Sequence, residues 1–508
     1  MNENSIKAPE SFLLDNTPAT NRFLICLFLL LALFQVCVYG ETFNVKPSGD
    51  DFIAPLAEIH RGGIDGPISF FLEFKQADYR PLQSFVMWIF GTISSENPLI
   101  WVHILHFLSA WFFAFITFLW IKHLKFSRIN AIVAAAIIFL HPVLAGNLAS
   151  IDSFGRFVVS GWIWLGAYVA HRFTNDNFLK AYLLCVLCFI IGLGFMEYAL
   201  GLIPLAGYVI FTRSDKFKIR NTLLIVISLL FLFFVYFLIR YLLVVSGRPG
   251  VAFISRESAV WFTNLVMLFS GALYFGNTVE FIVERSIKIC AWFGINLAAV
   301  MALLLWGILK KNKSDSIISS TSNPGFLIII FILSCFPMVV MRHVTELYVC
   351  MMVIPFALLM GHLSSNWMRT SYILRIIILL VLLFEIAIGT STIRSKVSDL
   401  RILGERTDAQ ITRILNHVPY DVHEWHIGLV FIESEESDAP TYSIFREKDS
   451  NLILKLARNW FVMDWYRQGS NHSLEYLIVN DISEVEFDNY DLVLNWDYST
   501  KTFNSINH

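Results

Sequence analysis

Apolar runs long enough to cross a bilayer recur along almost the whole chain, separated by short polar loops, and this pattern limits the fold more than any other feature. Each crossing of a ~30 Å hydrocarbon core needs about 20 apolar residues in a helix, because lipid offers the backbone no hydrogen-bond partner. The composition agrees. Of 508 residues, 56% are hydrophobic and only 15% charged, and the mean hydropathy is +0.61, which excludes a water-soluble enzyme, a disordered chain or a disulfide scaffold. A net charge of -2 supplies no basic excess for a phosphate backbone, so nucleic acid is excluded as a partner. The seven cysteines, including the Cys185/Cys188 pair, all lie inside apolar runs, where a thiol packs as a small hydrophobe.

Topology follows from requiring basic loops to face the cytoplasm. The first run, Phe23–Tyr39, follows a polar tail, residues 1–21; a secretory signal is the alternative for it, and in either case the next segment is external. That segment, residues 40–79, is rich in Asp and Glu. Pro81–Ile93 is too short to cross and reads as a juxtamembrane or re-entrant helix. Pro98–Ile121 then delivers Lys122, Lys125 and Arg128 to the cytoplasm. Further runs are expected at Ile129–Ala145, Phe154–Ala170, Ala181–Phe195, Ala199–Phe211, Leu223–Val245, Cys290–Leu309, Phe326–Val340, Val344–Met360 and Tyr372–Ile388, with Ala259–Phe275 as a second interfacial or re-entrant element. The total is about 11 spans, the N-terminus inside and the C-terminus outside.

Past residue 393 the composition turns polar. Alternating runs at His426–Ile432, Tyr476–Asn480 and Tyr490–Trp496 read as strands, and Thr407–Asn416 and Leu452–Tyr466 as helices. The expected architecture is therefore a polytopic α-helical membrane domain, residues 22–392, carrying a small extracytoplasmic α+β domain, residues 393–508.

Under this topology the costly polar residues gather on the external side. They are Asp50 and Asp51 in the first loop, Arg80 at its end, His103 and His106 one turn apart, His141, Asp152 and Arg156, Glu197 between two runs, and Arg342, His343, Glu346 and Tyr348. Ionisable groups in or near a membrane mark functional sites. Such a cluster suits a substrate with a lipid tail and a reactive head. A sugar on a polyprenyl phosphate already carries a leaving group, so its transfer needs a carboxylate to take the acceptor proton and donors to hold the departing phosphate. Asp50 or Asp51 can be that base, and the arginines and histidines can grip phosphate.

At these residues the chain resembles the GT-C superfamily of polytopic glycosyltransferases, most closely the protein O-mannosyltransferase-like group whose eukaryotic members carry tetratricopeptide repeats. The resemblance rests on Asp50-Asp51, YRPL at Tyr79–Leu82, NPLIWVHILH at Asn97–His106, HPV at His141–Val143 with Gly155-Arg156, MEYALGLIP at Met196–Pro204 and TELYVCMMVIP at Thr345–Pro355. It implies an inverting, mannosyltransferase-like transfer from a polyprenyl-phosphate donor to a protein, lipid or glycan acceptor, with a first-loop Asp as base. Some members of the superfamily use a divalent metal and others do not, so the resemblance leaves a metal unassigned.

The chain departs from the family pattern at Asn147, where a Glu is expected, at Phe157 and Val158, where an acid is missing, and at Met196, which replaces a Lys. Asp152 is a candidate to supply a lost carboxylate. There are no tetratricopeptide repeats, which points to a bacterial inner membrane with the site and the C-terminal domain facing the periplasm. A transporter and a membrane-anchored scaffold for surface polysaccharide assembly are the alternatives; a transporter is expected to place its carboxylates nearer the midplane.

Overall fold

The computed structural model describes residues 18–47, 80–93, 98–150, 153–214, 217–243, 257–277, 287–309, 324–336, 338–341, 346–368, 370–419, 421–422, 424–432, 473–479, 481–497, 500 and 502–506. Asp50, Asp51, Asp152, Arg342, His343 and the expected helix 452–466 lie outside the described residues, as does the side chain of Glu346.

Fourteen α-helices are described: α1 (Asn21–Tyr39), α2 (Pro81–Thr92), α3 (Pro98–His123), α4 (Arg128–Leu140), α5 (Leu144–Ala149), α6 (Phe154–Phe173), α7 (Phe178–Phe195), α8 (Leu202–Arg213), α9 (Lys218–Leu243), α10 (Ser258–Leu273), α11 (Ile287–Leu309), α12 (Pro324–Leu333), α13 (Cys350–Met368) and α14 (Tyr372–Asn416). Seven of the described helices, α1, α3, α7, α9, α11, α13 and α14, are long and apolar enough to cross a membrane. The other expected crossings fall on α4, α6, α8 and α12, which are shorter or more polar. The protein is thus a polytopic helical membrane protein with a small sheet.

Its basic loops collect at one end. The Pro18–Ser127 bridge and the bond from Ala19 N–H to the Phe126 carbonyl, 2.9 Å, bring the start of α1 to the α3–α4 turn. That turn reverses tightly, with Lys125 in the left-handed region at φ 54°. His123 and His171, at the last turns of α3 and α6, share a ring-to-ring hydrogen bond of 2.7 Å. Lys122, Lys125, Arg128 and Arg172 therefore lie at the same end.

Helix α13 is the axis of the bundle. Of its most apolar window 89% is buried, whereas for α9 the figure is 17%, so α9 presents leucines and phenylalanines outward as a lipid-facing helix does. Trp164 of α6 donates to the Met351 carbonyl of α13 at 2.9 Å, which satisfies its indole N–H inside the core.

Three expected runs end differently. The run 129–145 breaks at His141, which is extended at ψ 122°, because Pro142 disfavours helix at the residue before it. The run 326–340 stays helical only to Leu333 and resumes as a 3-10 turn at Met338–Val340. The last run does not stop at Ile388: α14 continues for 45 residues, straight through the expected domain boundary at 393. Beyond the apolar part, Ile393, Val397, Leu400, Leu403, Ile411 and Ile414 keep a buried stripe at helical spacing.

Strands β1 (His426–Ile432), β2 (Ser473–Val479), β3 (Leu492–Asp497) and β4 (Thr502–Ser505) form one sheet of order β2-β1-β3-β4. β1 runs parallel to β2 and β3, and β4 is antiparallel to β3. Alternation along β1 sends Leu429 and Phe431 into the main core with Trp496 and Phe503, while Val430 packs with Val485 and Val493 on the other face. Burial on both faces is what parallel strands require.

Candidate functional site

Helix α7 ends at Phe195, and Met196 is extended before a 3-10 turn, Glu197–Gly201, starts the approach to α8. This interruption places Glu197 between two helices. Helix α2 packs close to α7, since a Cβ on Gly194 would stand 2.5 Å from Leu82 Cδ1. Arg80, the residue before Pro81 at the start of α2, therefore reaches Glu197: its Nη2 donates to Oε1 at 3.5 Å. From the last turn of α9, Arg240 brings Nη1 to 3.8 Å from Glu197 Oε2.

The three side chains are only 12%, 22% and 11% exposed for Arg80, Glu197 and Arg240, so the pairs act in a medium well below bulk dielectric. Burial alone would raise the Glu197 pKa. The Arg80 and Arg240 guanidiniums more than reverse that and hold the carboxyl below its ordinary value. Glu197 is thus a fixed carboxylate with two cations on it, and the trio carries one excess positive charge. A carboxylate engaged in this way orients guanidiniums rather than shuttling a proton.

Next to it, the Tyr198 and Tyr348 rings meet edge to face at 5.3 Å, and Arg156 lies 5.3 Å from the centre of the Tyr348 ring. Burial, then Tyr348 and then Glu197 push the Tyr198 phenol well above its ordinary value, so it stays a neutral donor. Asn147 on α5 fixes the 3-10 turn Glu346–Val349 that carries Tyr348, donating to the carbonyls of Leu347 at 3.1 Å and Val143 at 3.4 Å. Ser153 donates in turn to the Asn147 carbonyl at 2.7 Å. Asn147 thus braces the turn that carries Tyr348.

The structure thus gathers Arg80, Arg156, Glu197 and Tyr348 of the expected site into one connected cluster, and adds Arg240 and Tyr198. Sequence reasoning missed Arg240, although an arginine inside an apolar run is itself a signal.

Of the four expected phosphate-binding histidines, His343 lies outside the described residues and each of the other three bonds a backbone carbonyl through one ring nitrogen. His103 Nε2 donates to the Val45 carbonyl at 3.1 Å, His106 Nδ1 to the Leu148 carbonyl at 3.1 Å, and His141 Nε2 to the Ala272 carbonyl at 3.0 Å. His141 Nδ1 also accepts from Val143 N–H at 3.3 Å. All three are fully buried, and each bond joins two separate segments. His103 anchors Val45, five residues before Asp50 in the chain. Lys46 is held further by Asp408 of α14, 2.6 Å from its Nζ, and by the close approach of Gly404 to its backbone. Among the described residues, no group of three or more His, Cys, Asp or Glu stands close enough to hold a metal ion.

Solved structures similar to the chain include two single-particle cryo-EM structures of arabinofuranosyltransferase AftD from Mycobacteria. The first is 13% identical with a TM-score of 0.49, and the match covers 91% of this chain and 32% of that one. The second, of a mutant, is 13% identical with a TM-score of 0.36, covering 82% and 31%. This chain therefore spans about a third of the length of that enzyme. No family model and no curated protein matches it.

Proposed function

We propose that the chain is an integral membrane glycosyltransferase that moves a sugar from a polyprenyl-phosphate donor to a protein, lipid or glycan acceptor, with inversion. The observation that carries this reading is the Arg80–Glu197–Arg240 trio joined to Tyr198, Tyr348 and Arg156. It is a buried, net-positive set of planar donors, suited to a phosphate that gains charge as its sugar leaves.

Glu197 holds Arg80 and Arg240 apart and oriented, so little reorganisation is needed when charge develops. Arg156 and the Tyr198 and Tyr348 hydroxyls add further donors beside the trio. Either Asp50 or Asp51 takes the acceptor proton, and the stem of their loop is fixed by His103, Asp408 and Gly404. By the positive-inside rule, the end opposite Lys122, Arg128 and Arg172 faces away from the cytoplasm. The site then opens to the periplasm of a bacterial inner membrane.

The test is a mass-spectrometric comparison of envelope glycans, glycolipids and glycoproteins between cells with the intact protein and cells carrying Asp50→Asn with Asp51→Asn. Loss of one defined glycoconjugate is expected, with the variant inserted at normal level. An unchanged glycoconjugate profile under conditions of expression would overturn the reading.

A further inference from the structure

A cleft of about 490 Å³ lies away from the arginine cluster, between the end of α10, the start of α11 and the middle of α14. Among the described residues its polar wall consists of Tyr274, Asn277, Lys288 and three hydroxyls of α14, those of Ser391, Thr392 and Ser395, and none of the described lining residues is a carboxylate. The hydroxyls depart from what their helix does elsewhere. Thr390, Thr407 and Thr412 of α14 each donate back to the carbonyl four residues earlier, at 2.8, 2.9 and 2.9 Å. Ser391, Thr392 and Ser395 make no such bond, and among the described residues they have no hydrogen-bond partner at all. Thr392 is only 8% exposed and lines the cleft, and its hydroxyl finds no hydrogen-bond partner among the described residues.

Lys288 adds charge. It is exposed and forms no ion pair among the described residues, and it stands near the start of the described part of α11. Every polar group named is thus able to donate, and the charge is positive, which selects an anion with several acceptor oxygens.

Below the polar wall the cleft is apolar. Trp292 of α11 meets Phe384 of α14 edge to face at 5.7 Å, and from there exposed apolar side chains continue along both helices, Ile295 on one and Leu380 on the other. The cleft therefore stands where two lipid-facing spans end, with its polar part at the level at which their hydrophobic faces stop.

We infer that this cleft binds the phosphate of an anionic membrane phospholipid, with Lys288 and the hydroxyls of Ser391, Thr392 and Ser395 on the head and the acyl chains lying along the Trp292 and Phe384 faces. The inference does not depend on the transferase reading, since none of these residues belongs to the arginine cluster. The acyl chains favour a lipid over free phosphate, because a soluble anion would leave the apolar half of the cleft unused.

The full-length protein, purified and reconstituted in phosphatidylcholine nanodiscs with or without phosphatidylglycerol, is analysed for retained lipid by native mass spectrometry. Phosphatidylglycerol is expected to be retained over phosphatidylcholine. Lys288→Ala and Thr392→Val should each weaken retention by about tenfold, the loss of one charge-assisted or buried hydrogen bond. Both variants preserve fold, since Lys288 is exposed and valine matches threonine in shape; an unchanged melting temperature in phosphatidylcholine checks this. Equal retention of both lipids, or retention unaltered by either variant, overturns the inference. Displacement of phosphatidylglycerol by millimolar inorganic phosphate would assign the cleft to soluble phosphate and overturn it too.

Discussion

Replacing Glu197 by Gln removes the one anion shared by two largely buried guanidiniums while keeping side-chain volume and an oxygen for Arg80. At an effective dielectric of 20, unit charges at 3.5 and 3.8 Å attract by about 4.7 and 4.4 kcal/mol. Desolvation of three buried groups offsets most of that gross attraction, so the net worth of the trio is small. Losing one member is different, because the desolvation cost of the remaining pair stays and Arg80 and Arg240 then repel. Removal of one partner from a buried pair costs roughly 3–5 kcal/mol, and the retained amide oxygen puts Glu197→Gln near the lower figure, about 3 kcal/mol. With 14 tryptophans, intrinsic fluorescence follows unfolding of the purified protein directly. The decisive form is a double-mutant cycle with Arg240→Met. The double variant should be more stable than the sum of the single losses allows, by at least about 1 kcal/mol, since each change relieves the charge the other strands. Additivity within about 0.5 kcal/mol would show that the two residues do not share an electrostatic unit, and the argument for an oriented phosphate site would fail.

The same carboxylate sets a pH dependence. Its folded pKa is held below the ordinary value of 4.5, so its contribution to stability is fully present above about pH 5 and is lost as pH falls through the lower folded value. Acid unfolding of the wild type compared with Glu197→Gln should show a difference that shrinks below pH 4.5; a difference constant down to pH 3 would count against the ion pairs. Asn147→Ala frees the Leu347 carbonyl and should cost about 1–2 kcal/mol, with transfer reduced through a displaced Tyr348, read by thermal unfolding and by product yield. Gly404→Val drives a side chain into the Lys46 backbone, and a loss of about 1–3 kcal/mol is expected, whereas Ile402→Ala on the exposed side of the same helix should be neutral within 0.5 kcal/mol. Arg240→Lys keeps the charge but not the planar fork, so transfer should fall about tenfold with stability nearly retained, measured by donor consumption.

The apolar runs, the basic end and the strands at His426, Tyr476 and Tyr490 could all be read from sequence, because each depends on residues close together in the chain. A stretch of about 20 apolar residues has one stable conformation in lipid, and alternation of period two has one in a sheet. Glu197 was legible for the same reason, a carboxylate stranded between two apolar runs. What the sequence by itself could not decide is how groups far apart in it meet. Arg240 reads only as a stray charge in a span until α9 is folded beside α7 and puts it on Glu197. His103, His106 and His141 each bond a carbonyl of a segment remote in sequence, which no local pattern encodes. Likewise, α14 outruns its apolar part because a buried stripe finds the first-loop stem and the sheet to pack against. Ser391, Thr392 and Ser395 become a polar wall only when α10 and α11 close the other sides. Local chemistry specifies elements, whereas the pairing of buried charges and the exposure of hydroxyls depend on which elements become neighbours, and that is a property of the packed bundle.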